Sequence, residues 1–63
     1  MDRDERRSFL RWTEEASDGE LEKKAVQLTA FIPSLSEEGA RTDAGWLFRV
    51  LEREMAARRE VRS

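Results

Sequence analysis

The chain has 63 residues, 41% charged and 38% hydrophobic, with a net charge of −2 and neither Cys nor His. That inventory excludes disulfides, thiolate and imidazole metal sites, Cys nucleophiles and His general bases. A domain this short buries only about 60% of the surface its unfolded chain exposes, so without staples helix packing or self-association must stabilise it.

Charge is unevenly spread. Four Arg against three acids make residues 1–11 mildly basic, seven acids against two Lys make 12–40 acidic, and six Arg against four acids make 41–63 basic again. No apolar run approaches the roughly 18 residues of a membrane span. The opening Met1-Asp2-Arg3-Asp4-Glu5 lacks the apolar stretch of an export signal, so a cytoplasmic location is expected.

Residues 2–16 read as a first helix, with Asp2 or Asp4 as N-cap and Phe9, Trp12 and Ala16 in one arc. Arg3, Arg6, Arg7 and Arg11 flank that arc. Ser17-Asp18-Gly19-Glu20 has the S-x-x-E form of a capping box, which starts a second helix with the stripe Leu21, Ala25, Leu28 and Ile32. Pro33 lacks an N–H and pushes Ile32 away from helical geometry, so this helix is predicted to stop near Phe31 or Ile32.

The longest run of one periodicity extends from Ser36 to about Arg59. Ser36 followed by two Glu, or Ser34 with Glu37 as a second capping box, supplies its start, with Ser36 favoured. Ala40, Ala44, Leu47, Phe48, Leu51 and Met55 form its core stripe. Gly39 and Gly45 weaken it by about 1 kcal/mol each relative to Ala. Gly45 there reads as a point of close helix approach, with a later start at Thr42 or Asp43 as the alternative. Continuity is favoured.

No β-branched alternation marks a strand. The short Pro33–Leu35 connection pairs the second and third helices. The expected architecture is therefore all-α: a single domain over 1–63, built as an antiparallel helical hairpin with a shorter N-terminal helix, dimerising into a helical bundle.

Acidic neighbours such as Glu14/Glu15 and Glu37/Glu38 do not converge on one point of a helix. Glu20–Lys24, Glu37–Arg41 and Glu54–Arg58 have the i,i+4 spacing of exposed ion pairs. Arg49, Arg53, Arg58, Arg59 and Arg62, or the arginines of the first helix, could contact phosphate. Acids are interleaved with both groups, and no glycine-rich phosphate loop accompanies them. Acids on the polar face of each helix also argue against a membrane surface.

The third helix carries a second group of apolar residues, Trp46, Val50, Ala57 and Val61, away from its core stripe, with Arg49, Arg53 and Glu60 beside it and Asp43 and Glu54 on its far flank. Taking Ala44 as zero, Trp46, Arg49, Val50 and Arg53 lie between about 140° and 240° around the helix. They are the aromatic, aliphatic and guanidinium groups that interfaces favour, and they form the candidate partner-binding surface; the alternative for Trp46 is that the first helix packs on it.

No nucleophile–base pair, metal set or cofactor loop is present, so an enzyme, a metal and a cofactor are not expected. The function expected is a non-catalytic protein–protein interaction module, a small self-associating adaptor, inhibitor or regulator. Small acidic helical proteins of phages and plasmids also fit that description. The alternative is a nucleic-acid-binding regulator acting as a helical-bundle dimer through its arginine-bearing faces.

Overall fold

Asp2 begins the first helix by accepting a hydrogen bond from the Glu5 backbone N–H at 2.8 Å, which satisfies one of the orphan donors of the first turn. The computed structural model describes residues 1–62, and three α-helices account for most of them. Helix α1 is Arg3–Glu15, α2 is Asp18–Phe31 and α3 is Glu38–Arg62.

Between α1 and α2 the chain turns through Ala16, whose ψ of 149° leaves the helix while its N–H still donates to the Trp12 carbonyl. The capping box then forms in full. The Glu20 N–H donates to Ser17 Oγ and the Ser17 N–H to Glu20 Oε1, both at 3.1 Å. The backbone hydrogen bond from Ser17, followed by its side-chain hydrogen bond, holds the Glu20 carboxyl below its ordinary range.

Helices α1 and α2 each pack chiefly on α3. Asp18, the first residue of α2, meets Arg58 near the end of α3, while Leu28 and Leu47 toward the other end line one groove. Ala16, Leu21 and Leu51 form the buried cluster, with Phe9, Trp12, Ala25, Leu28 and Met55 packed around it. Leu21 and Leu51 are the largest fully buried side chains. Leu28 and Leu47, expected in the same core, are only half-buried. The Cα radius of gyration, 12.2 Å, exceeds the roughly 11 Å of a compact chain of this length.

Three local expectations are corrected. Ile32 is not driven out of helical space: its φ and ψ are −53° and −46°, and Ile32–Ser34 tighten into a 3₁₀ turn. Pro33 fits there because the start of such a turn needs no N–H from it. The chain first extends at Leu35, with ψ of 124°.

Helix α3 starts at Glu38, two residues beyond Ser36, with the Glu37 carbonyl accepting from the Arg41 N–H. Ser34 donates its hydroxyl backward to the Phe31 carbonyl at 2.7 Å, beside the backbone bond from the Leu35 N–H to the Ile32 carbonyl that closes the 3₁₀ turn. Lastly, α3 is continuous through both glycines, yet a Cβ at Gly45 would find no atom within 4 Å. No element approaches closely there.

Two outcomes follow from this geometry. Gly45→Ala should raise stability by about 0.5–1 kcal/mol in urea unfolding, because propensity improves and the added methyl meets open space; a loss would show that another surface occupies the position. Glu20 has a depressed folded-state pKa, so its stabilisation is present above the unfolded value and lost as pH falls through the folded one. The difference in melting temperature between wild type and Glu20→Gln should therefore shrink as pH is lowered from about 6 to about 3. A constant difference would mean the carboxylate does not act as a cap.

Candidate functional site

The two flanks of α1 carry opposite charge. At about 100° per residue, and taking Phe9 as zero, Arg6, Leu10, Arg3 and Arg7 fall on one side, between about 60° and 160°. Glu5, Trp12, Ser8 and Asp4 fall on the other. Glu14, at about 140°, stands among the arginines and Arg11, at about 200°, beside Asp4, so the division is between Arg3, Arg6 and Arg7 and the acids Asp4 and Glu5, and acids stay interleaved with arginines at the end of the helix.

The acidic flank borders an apolar groove where α1 and α2 diverge over α3. Phe9 and Trp12 form one wall, Lys24 and Leu28 the other, and Leu47 of α3 also lines it, in an open volume of about 640 Å³. Asp4 and Glu5 rim the α1 side. Lys24 places its ammonium 5.7 Å from the centre of the Trp12 ring, a cation–π contact that fixes the opposite rim. Glu20, expected to pair with Lys24, is instead engaged by Ser17.

On the basic flank, Arg3, Arg6, Arg7 and Leu10 share a depression of about 500 Å³ with Trp46 of α3. Trp46 is half-buried. Its ring lies 6.1 Å from Phe9, tilted by 53°, and the Arg6 guanidinium sits 5.3 Å from its centroid. Phe9 also touches Trp12, at 5.7 Å, so one phenylalanine separates the two indoles and the two depressions.

Among the four residues predicted as a partner-binding surface, Trp46 and Val50 are half-buried, while Arg49 and Arg53 are exposed. Trp46 rests on α1, and the two arginines follow it along the same flank of α3, beyond the residues that line the depression. The remainder of the second apolar group, Ala57 and Val61, is exposed, Val61 at 88%.

Arg58 has a different role from its neighbours. Its Nη1 donates to Asp18 Oδ1 at 2.9 Å, Nε to Glu54 Oε1 at 3.1 Å, and Nη2 to the carbonyls of Thr13 and Glu14 at 2.9 and 3.4 Å. The hydrogen bond to Asp18 is the main cause of its raised pKa. This guanidinium is structural. Thr13, only 2% exposed, returns its own hydroxyl to the Leu10 carbonyl.

Sequence reading missed both Arg58 and Thr13 in this part. The one local signal was that α1 has acids but no cation in its last turn, so the negative end of its dipole calls for a cation from elsewhere. The side chain of Arg62, grouped with these arginines in the sequence, lies outside the described residues.

Among the described residues no group of three or more potential ligand side chains could hold a metal ion, and no helix is long and apolar enough to cross a membrane. No protein-family model matches the chain, and no curated protein or solved structure is significantly similar to it.

Proposed function

We propose that the chain is a non-catalytic protein–protein interaction module of the cytoplasm, which self-associates through the groove between α1 and α2. On this reading it acts as an adaptor, inhibitor or regulator, and its antiparallel α2–α3 hairpin with α1 forms half of a dimeric helical bundle. The observation that carries the reading is the groove itself: Phe9, Trp12, Leu28 and Leu47 stay partly uncovered, while among the described residues the large fully buried side chains are Leu21 and Leu51. Covering them with a second copy would extend a core that is small for an unstapled domain.

Charge on the rim favours a copy of the same chain. In a two-fold dimer each acidic wall, Asp4 and Glu5, can face the partner's Lys24 wall, because an isologous interface pairs a patch with its own rotated image. The Trp46, Arg49, Val50 and Arg53 surface then remains outward for another protein. A nucleic-acid-binding regulator is the second reading, supported by the gathering of Arg3, Arg6 and Arg7 in one depression.

Sedimentation equilibrium at micromolar concentration should give twice the chain mass for the wild type. Ser8, exposed on the groove, allows the interface to be blocked without touching the core. Ser8→Arg should sediment as a monomer with unchanged helix content. A monomeric wild type, or a dimer that survives Ser8→Arg, contradicts the groove as the self-association face.

A further inference from the structure

We infer that the depression between α1 and the outer flank of α3 is a docking site for an acidic amphipathic helix of another protein. The inference rests on the interaction-module reading and gives its second surface a ligand chemistry. Arg3, Arg6 and Arg7 of α1 converge there with Leu10 and Trp46. Arg49 and Val50 follow Trp46 by about one helical turn and Arg53 by about two, on the same flank of α3.

The arrangement is an apolar centre with a cationic border. Leu10 is 42% exposed, Trp46 and Val50 are half-buried, and all five arginines are exposed. Desolvated apolar anchors at the centre with charges at the rim are the pattern of helix-in-groove recognition. The walls are themselves helices, and the stretch of α1 that lines the depression, from Arg3 to Leu10, is about 12 Å long, which matches about two turns of a guest helix.

Charge decides the guest. Five guanidiniums in a chain of net charge −2 are a local feature, so their complement is a local run of carboxylates on an otherwise apolar helix face. A nucleic acid fits less well. Its phosphates would meet repulsion from the rest of an acidic chain, and the indole it would stack on is already flanked by Arg6 and Phe9.

The test uses two fluorescein-labelled amphipathic peptides of about 16 residues, one of Leu and Glu and one of Leu and Lys, with a single-stranded DNA oligomer as third probe. Fluorescence anisotropy at low salt should show the Leu–Glu peptide binding at least about tenfold more tightly than either other probe, and weakening as salt rises. The triple variant Arg7→Glu, Arg49→Glu, Arg53→Glu should lose at least about tenfold of that affinity, with helix content retained. The corresponding Gln variants, which cannot unfold the chain by charge reversal, should lose an intermediate amount. Lys23→Glu, an exposed change on α2, should lose none.

No preference for the acidic peptide, or binding indifferent to the three arginines, overturns the inference. Tighter binding of the DNA, lost in the same variants, overturns it in favour of nucleic acid. Sedimentation of the triple variant should show the same mass as wild type; a dimer abolished by these substitutions would assign the face to a second copy. Because the peptide titration reads the Trp46 flank and Ser8→Arg reads the groove, either surface can fail alone.

Discussion

One guanidinium ties the three helices together. Arg58, with only 22% of its side chain exposed, reaches from α3 to the last carbonyls of α1 and to the first-turn carboxylate of α2. Each contact meets a need of the helix it touches. The carbonyls of Thr13 and Glu14 belong to the C-terminal turn that has no intrahelical donors of its own, and Glu14 and Glu15 place negative charge at the wrong end of that dipole. Asp18 sits at the favourable end of α2, where its charge both complements the dipole and receives Nη1. The Glu54 contact, one turn back on α3, orients the fork.

The position of α1 follows from that clamp at one end. At the other, the Met1 amino group donates to Asp43 Oδ2 at 2.9 Å, which raises the pKa of the amine. Phe9 lies between these two anchors, against both indoles. A helix held this way divides the surface of α3, leaving an apolar groove with acidic and basic rims on one side and an arginine-bordered trough on the other. The proposed assembly and partner docking depend on this division, since each needs α1 to be a fixed wall.

The features legible in the sequence are those encoded within a few residues. Ser17 and Glu20 form their capping box because both arms lie inside one turn, and Leu51 is buried because its stripe repeats every three to four positions. Asp2 caps α1 for the same local reason. The start of α3 falls two residues beyond the favoured Ser36, and the other signal, Ser34, is taken up by the 3₁₀ turn at Pro33, where its hydroxyl donates to the Phe31 carbonyl. Arg58 was read as an ion pair with Glu54, which it is; its bonds to Thr13 and Asp18 span some 40 residues and follow only from the packing of three helices. Trp46 likewise stands apart from the stripe, which left it either packed by the first helix or free as an interface anchor; the contacts of Phe9 and Arg6 with it support the first, and which residues of α1 make them follows only from the packing.

Equilibrium urea unfolding of Arg58→Lys beside Arg58→Met, at one protein concentration, tests the clamp most directly. The Arg58 fork makes four hydrogen bonds that reach all three helices, in a chain whose whole stability is roughly 3–9 kcal/mol. Lysine keeps the charge but lacks the planar fork that serves Asp18, Glu54 and the α1 carbonyls together. Both variants should therefore unfold at a clearly lower urea concentration than wild type, with lysine recovering little of what methionine loses. Full stability in Arg58→Lys would mean that charge alone suffices, and an unchanged unfolding midpoint in both variants would show that the helices are held together without this guanidinium.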